Sequence, residues 1–401
     1  MPQTITGAGN NAFSMSDSPV ERPLVEFWSS TECAGFLDGL TGELGKRGWI
    51  AQQHFGVPQA QYRSARSASA RFAMRWGAYG SYPVKVGLRF SRARPGTIGV
   101  VCTNTFYAPR CALFAAPSDV PIIHWVWDLF PDVLVAAGVI KAGGGLERLA
   151  HGIVRRTFDG AAANVFLGEK LLRYTESKFG PIPRSQVIPI GADASPFLRP
   201  PQPREQAAED CRILYCGNLG RMHDVATIVG AMGAGLPAGL RLDFRGNGEG
   251  FRAIDQVVAE SGVNSRIQLG GHMCEGEWVE TMKSADVALV TMRPGAEGLV
   301  IPSKTYSAMV AGQAVLAVCP EGSDLADLVR RHDVGWVIPP GDVAGLGIAL
   351  KRLVEFPAEV SAKRANAWRV GHERFGQQII ASAWSELLHH VSAENTPVPA
   401  C

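Results

Sequence analysis

Cysteine is present without any pattern that chemistry could use. The eight cysteines stand at 33, 102, 111, 211, 216, 274, 319 and 401, with no Cys-x-x-Cys pair and no metal-ligand spacing. That excludes a zinc ribbon or a dithiol redox motif and predicts free or buried thiols in a reducing compartment. No run of about eighteen apolar residues occurs, which excludes a hydrophobic spanning helix. The first 23 residues lack the charged-then-apolar pattern of a secretory signal, so the predicted location is the cytoplasm. Acidic residues are missing from one long stretch. Between Leu44 and Ser118 there is none, against Lys46, Arg47, Arg63, Arg66, Arg71, Arg75, Lys85, Arg89, Arg92, Arg94 and Arg110. In a chain of net charge +2, such a segment predicts a local anionic partner: lipid headgroup, phosphate or nucleic acid. No recognition-module pattern accompanies these cations, so no nucleic acid is expected.

What is there is a chain too long for one ordinary core. Its 401 residues, 46% hydrophobic and 19% charged, predict a globular protein of two domains or more. Past residue 210, short apolar runs alternate with amphipathic stretches. The runs are Arg212–Cys216, Leu240–Phe244, Arg266–Leu269, Val287–Thr291, Ala314–Val318 and Trp336–Ile338. Strand–helix alternation at this spacing predicts an α/β fold with a doubly wound parallel sheet. The first half reads similarly, with strand candidates at Leu24–Trp28, Thr97–Thr103, Pro121–Val126, Ala161–Phe166 and Gln186–Ile190. Leu198–Asp210 is rich in proline and charge and reads as a linker. The predicted organisation is an N-terminal Rossmann-like domain over 1–197, a linker over 198–210 and a second domain over 211–375. A C-terminal helix and tail over 376–401 follow, with Gln377–Val391 as the segment that can cross back to the first domain. Two such halves leave a central cleft, into which the carboxyl ends of both sheets open.

Candidate chemistry falls at strand ends. Tyr215–Asp224 turns through Gly217, Asn218 and Gly220, then places Arg221 and His223 before a helix that Asp224 can cap. A guanidinium there suits phosphate oxygens, and an ordinary βα turn with a solvated arginine accounts for the same residues. Arg293–Lys304 follows another strand. The amides of Gly298, Leu299 and Val300 and the helix start at Ser303 form a candidate anion site, and Lys304 in the first turn opposes the helix dipole unless an anion is bound. Glu297 is placed to accept hydrogen bonds from sugar hydroxyls, or to face solvent as most loop carboxylates do. Gly246-Asn247-Gly248-Glu249-Gly250 lacks dinucleotide-fingerprint spacing and reads as a tight turn bordering the nucleotide pocket. In the first half, His124 and Asp128 stand near a strand's carboxyl end, where they can orient an acceptor hydroxyl or move a proton. A packed histidine between tryptophans is the plainer alternative. The loop Ser29–Gly35 is a further cleft-facing turn.

Together these segments resemble the large retaining GT-B family of bacterial polysaccharide and lipid-linked-sugar glycosyltransferases, family 4. Val187–Asp193 resembles the family's VIPNGVD turn with Ile190 in place of asparagine, and Tyr215–Asp224 resembles its donor-diphosphate loop. There Asn218 stands at the usual arginine, His223 at the usual lysine, and Arg221 is the candidate replacement charge. Ala285–Gly312 is similar to a subgroup carrying a Pro-Ser-Lys sequence. Its Glu297 looks like the first of a glutamate pair that contacts the transferred sugar, and Ser307 falls near the second, ribose-binding one.

The resemblance implies two Rossmann-like domains facing a cleft and a nucleotide-diphosphate sugar donor. It also implies retention at the anomeric carbon, with Arg221, Lys304, His223 and the Gly298–Val300 amides stabilising the departing diphosphate. No cofactor or metal is then expected, and no Asp-x-Asp pair is present to hold one. The acceptor implied is a lipid-linked saccharide, so the protein would sit at the inner face of the membrane. Gly35, Arg63, Arg66, Arg71, Arg75 and Trp76 are the expected acceptor and membrane residues, because cations interleaved with Tyr62, Phe72, Tyr79 and Tyr82 suit an anionic interface. A nucleotide-sugar 2-epimerase and a non-catalytic scaffold of polysaccharide assembly are the alternatives.

Overall fold

The computed structural model describes residues 22–32, 36–58, 68–136, 138–203, 210–261 and 266–395. The first half builds β1 (Leu24–Thr31), α1 (Phe36–Lys46), β2 (Ile50–Val57), α2 (Ala68–Arg75), α3 (Tyr82–Phe90) and β3 (Thr97–Cys102). It continues with α4 (Ala108–Ala115), β4 (Ile122–Val126), α5 (Asp132–Ala136), α6 (Gly145–Gly160), β5 (Ala163–Phe166), α7 (Glu169–Phe179) and β6 (Ser185–Val187). The second half runs β7 (Cys211–Asn218), α8 (Ala226–Gly233), β8 (Leu240–Asn247), α9 (Gly250–Ser261), β9 (Ile267–Gly270), α10 (Glu275–Ser284) and β10 (Val287–Thr291). Then come α11 (Lys304–Val310), β11 (Ala314–Val318), α12 (Asp324–Arg331), β12 (Gly335–Ile338), α13 (Val343–Glu355), α14 (Pro357–Val370) and α15 (Gln377–Glu394).

Each half is one six-stranded sheet, ordered β2-β1-β3-β4-β5-β6 and β12-β11-β10-β7-β8-β9. Every strand pairing is parallel. Parallel strands carry helices on both faces, and β3, β4, β5, β10 and β11 are accordingly buried along their whole length. In each sheet the order reverses beside the first strand, at β1/β3 and β7/β10, and loops there diverge to leave a crevice. The strand β2 has no counterpart among the predicted apolar runs. It is an edge strand of sequence IAQQHFGV, only partly buried, so its polar residues gave no strand pattern.

The chain crosses between the halves twice. Arg364, nearly buried on α14, donates to the Gln202 carbonyl of the linker at 3.2 Å and pairs with Asp286 at 3.0 Å. The second crossing follows α14, where the Ala192 amide donates to the Phe375 carbonyl at 2.8 Å and the Ala192 carbonyl accepts from the Gln377 amide at 3.1 Å, and α15 returns to lie along α1. Trp384 of α15 is fully buried, with its ring 5.5 Å from Phe27 and 4.9 Å from Trp125. The Trp49 indole donates to Ser385 at 3.0 Å. The last helix of the sequence is thus part of the first core.

Trp384→Ala should therefore destabilise the first half by roughly 3–5 kcal/mol, the usual cost of removing a buried large aromatic. Chemical denaturation measures it, and a loss below about 1 kcal/mol would mean that α15 is only laid on the surface.

Candidate active site

The crevice in the second half lies where the loops after β7 and β10 part. Both are tied to the sheet. The His223 ring meets the Thr291 carbonyl at 2.8 Å through Nδ1, and the Arg293 amide donates to the Met222 carbonyl at 3.0 Å. Asp224 accepts from the Thr227 amide at 3.3 Å and so caps the turn into α8. Glycine is required where β7 and β8 end side by side. Gly246 has φ 133°, and a Cβ there would come within 2.1 Å of the Gly217 oxygen. The predicted tight turn over residues 246–250 is this close approach.

Lys304 opens α11 and reaches under the β7 loop. Its Nζ donates to the Tyr215 hydroxyl at 2.6 Å and lies 4.0 Å from the centre of that ring. No carboxylate pairs with it among the described residues. Desolvation pulls the ammonium down from 10.5 to about 7. Burial likewise pushes the Tyr215 phenol up. His223 is held down at about 4, first by burial and then by the Lys304 charge. A carbonyl can only accept, so Nδ1 carries the proton of the neutral ring and Nε2 presents a lone pair. The resemblance implies a second cation at His223; burial and the Lys304 charge instead favour its neutral ring, with Nε2 as an acceptor.

Other expected residues divide. The Glu297 Oε2 is buried and has no hydrogen-bond partner. Arg221 stands on the exposed rim, 3.5 Å from the equally exposed Glu249. Asn218 and Asn247 are exposed at the strand ends, Ser307 is half-buried on α11, and Gly220 closes the loop by accepting from the His223 amide at 3.1 Å. The amides of Leu299 and Val300 are not free. Both donate to the Ala296 carbonyl, at 3.1 and 3.3 Å, because the chain after Gly295 closes into a tight turn. Ser303 stands at the N-cap position of α11 but makes no side-chain cap bond. Gly298, with φ 73°, is pressed against Tyr174 of α7.

From the first half, His124 does not reach the cleft. It sits inside the core at 1% exposure, with Nδ1 3.0 Å from the Asn164 oxygen and its ring beside Phe158. Burial takes it down to about 4, so it is a neutral core histidine. Asp128 does reach the seam between the halves. The Thr103 hydroxyl holds its backbone, and the next residue, Leu129, donates to the Leu299 carbonyl at 3.3 Å. Loss of hydration raises the Asp128 carboxyl to about 6. Gly35, Arg63 and Arg66, with Tyr62, lie outside the described residues, as does the side chain of Arg71. Arg75 and Trp76 are exposed at the end of α2.

Residues 210–355 match the family described as Glycosyl transferases group 1. The chain is 27% identical to the probable glycosyltransferase WbjE of Pseudomonas aeruginosa, over 66% of this chain and 67% of that one. The chain carries a glycosyl transferases group 1 domain on a GT-B fold. Its fold is shared with sucrose-phosphate synthase from Thermosynechococcus elongatus, at a TM-score of 0.69 and 17% identity, covering 93% of this chain and all of that one. Anabaena HepE in complex with UDP-glucose superposes with a TM-score of 0.64 and 14% identity, covering 92% and 100%.

Two partners in the transferase site had no signal in the sequence. Tyr215 reads as one more core aromatic on a strand, and nothing local marks it as the seat of Lys304. Cys216 beside it is half-buried with its thiol pushed up by burial, a shift that only the folded site produces.

An ammonium lowered from 10.5 to about 7 binds its proton less tightly folded than unfolded. The resulting penalty is fully present below about pH 7 and fades as pH rises toward 10.5. Lys304→Met should raise the unfolding midpoint of the ligand-free transferase at pH 7 and flatten its rise between pH 7 and 9. Thermal unfolding across that range checks it, and a Met variant no more stable than its parent would contradict a desolvated ammonium.

Proposed function

We propose that the transferase takes its sugar from a nucleoside diphosphate sugar. It passes that sugar, with retention, to a lipid-linked saccharide at an anionic membrane surface during cell-surface polysaccharide synthesis. The observation that carries the donor half is Lys304: a desolvated ammonium without a counter-ion, aimed at a Gly-turned strand end. Such a group is stabilised by a diphosphate and strengthens as charge builds on the leaving oxygen. The unpartnered Glu297 oxygen suits a sugar hydroxyl, and Asp128 from the facing half suits the acceptor side. The solved relative that holds UDP-glucose shares the fold. An epimerase would leave the membrane-facing half without a role, and the family match favours transfer.

The acceptor half rests on the flank of the first domain. From α2 through a π-helical turn, Trp76–Ser81, into α3 the helix is continuous. Tyr82, Val86 and Phe90 face inward at steps of four, while Phe72, Trp76, Tyr79, Val84 and Leu88 are exposed, Phe72 by 71%. Exposed apolar side chains continue on the packed neighbour α4 with Phe114 and on α6 with Leu146 and Leu149. Aromatics with Arg75, Lys85 and Arg92 nearby suit insertion among anionic headgroups. No helix among the described residues is long and apolar enough to cross a membrane.

At pH 8, nucleoside diphosphate binding should take up a proton on Lys304, read by calorimetry in two buffers of different ionisation heat. A saturating diphosphate at a hundred times its dissociation constant should also stabilise the fold by roughly 2.7 kcal/mol. Lys304→Met should lose both effects. No response to any nucleoside diphosphate would favour the scaffold reading. For the membrane half, sedimentation with vesicles should require anionic lipid, weaken with salt, and fall sharply in a Phe72→Ser/Trp76→Ser variant. Binding indifferent to all three would end that half of the proposal.

A further inference from the structure

Helix α7 of the first domain has no cap of its own. Gly168 stands at its N-cap with extended backbone and no side chain to offer the free amides. The cap comes from the other domain. Asp324, the first residue of α12, accepts from the Lys170 amide with both oxygens, at 3.1 and 3.2 Å. Its own helix is capped separately, by Ser323 accepting from Ala326 at 3.2 Å. Two helices, one from each domain, thus direct their N-termini at one carboxylate, which gains from both dipoles. One turn further along α12, Asp327 pairs with the Lys170 ammonium at 3.0 Å. The approach leaves no room for a side chain at 168: a Cβ there would lie 2.4 Å from the Ile301 Cδ1 and 2.6 Å from the Asp324 Oδ2.

This contact is continuous with the donor loop. Ile301 ends that loop against Gly168, Tyr174 of α7 lies against Gly298, and Leu129 donates to the Leu299 carbonyl. Glu297 is carried on the segment so held. The loop belongs to the second domain, yet its seat is on the first.

We infer that Asp324 is a positioning residue for transfer: its carboxylate caps α7 across the domain boundary, holding the domains together and seating the Glu297–Ile301 loop. Opening the domains would strip α7 of its cap and free the loop in one event. Closure and loop assembly are then a single equilibrium. The role is separate from donor identity, since it needs no ligand to operate.

The test uses the full chain without ligand. Hydrogen exchange reads the Lys170 amide and the 297–301 loop, and solution X-ray scattering reads the radius of gyration. Loss of one helix cap should shift the equilibrium roughly five- to tenfold toward the open form. Asp324→Ala should therefore speed exchange by that factor at Lys170 and in the loop together, with a larger radius, while β7 and β8 exchange as before. Asp324→Asn keeps an acceptor oxygen and should restore most of the protection. Gly168→Ala attacks the contact from the first domain and should reproduce the Ala phenotype, which keeps the test sound should Asp324→Ala fold poorly. Unchanged loop exchange and radius in Asp324→Ala, or in Gly168→Ala where only that variant folds, would overturn the inference. So would an Asn variant as open as the Ala variant, because charge rather than capping would then hold the domains.

Discussion

Parallel pairing throughout both sheets constrains everything else. When all strands of a sheet run the same way, all their carboxyl ends emerge on one edge, and the connecting helices cover both faces. Function is left only that edge. Lys304 and Glu297 share the connection after β10, His223 follows β7 and Asp128 follows β4, so three different connections supply them and each follows a strand's carboxyl end. The Leu129–Leu299 backbone bond shows the two edges facing each other. Between them a lysine is held away from water by a tyrosine ring and hydroxyl instead of by a carboxylate. An ion pair would have satisfied that ammonium internally; a hydroxyl leaves its charge uncompensated.

The sequence was most legible where burial is complete. The runs Val287–Thr291 and Ala314–Val318 recur as strands with the same bounds, because a strand covered on both faces must be apolar at every position. That signal vanishes at β2, an edge strand whose Gln52, Gln53 and His54 leave no apolar run. Site chemistry was legible as loop positions and not as states. The strand-end placing of Lys304 and Glu297 followed from strand–turn–helix order alone. That His223 is neutral, and that Leu299 and Val300 spend their amides on Ala296, depends on desolvation and turn closure, which no local pattern encodes. His124 shows the opposite failure. Near a strand end in sequence, it points into the core, where Asn164 satisfies it.

Charge is handled differently in the two halves. In the second, Asp286 and Arg364 form a nearly buried pair that also receives the Arg212 amide and reaches the Gln202 carbonyl, so the linker is pinned to the sheet it precedes. In the first, Glu26 is wholly buried on β1 and held by the Trp28 indole and by Arg89 of α3. Removing either member of such a pair would strand a charge out of water. The Glu26 contact anchors the helix whose outer face carries the exposed aromatic and basic groups, so the outward-facing surface is fixed from within.

The return of α15 has a consequence for biosynthesis. A ribosome delivers β1 long before Trp384, with the whole second domain in between. Domains usually complete in the order of synthesis. Here the first sheet must wait, with the faces of Phe27 and Trp125 uncovered, until α15 emerges to close it. The second domain, whose strands and helices are contiguous, is the half able to finish during translation. The order of assembly is the reverse of the order of synthesis, and a chain cut before α15 would keep a folded second domain while leaving the first core uncovered.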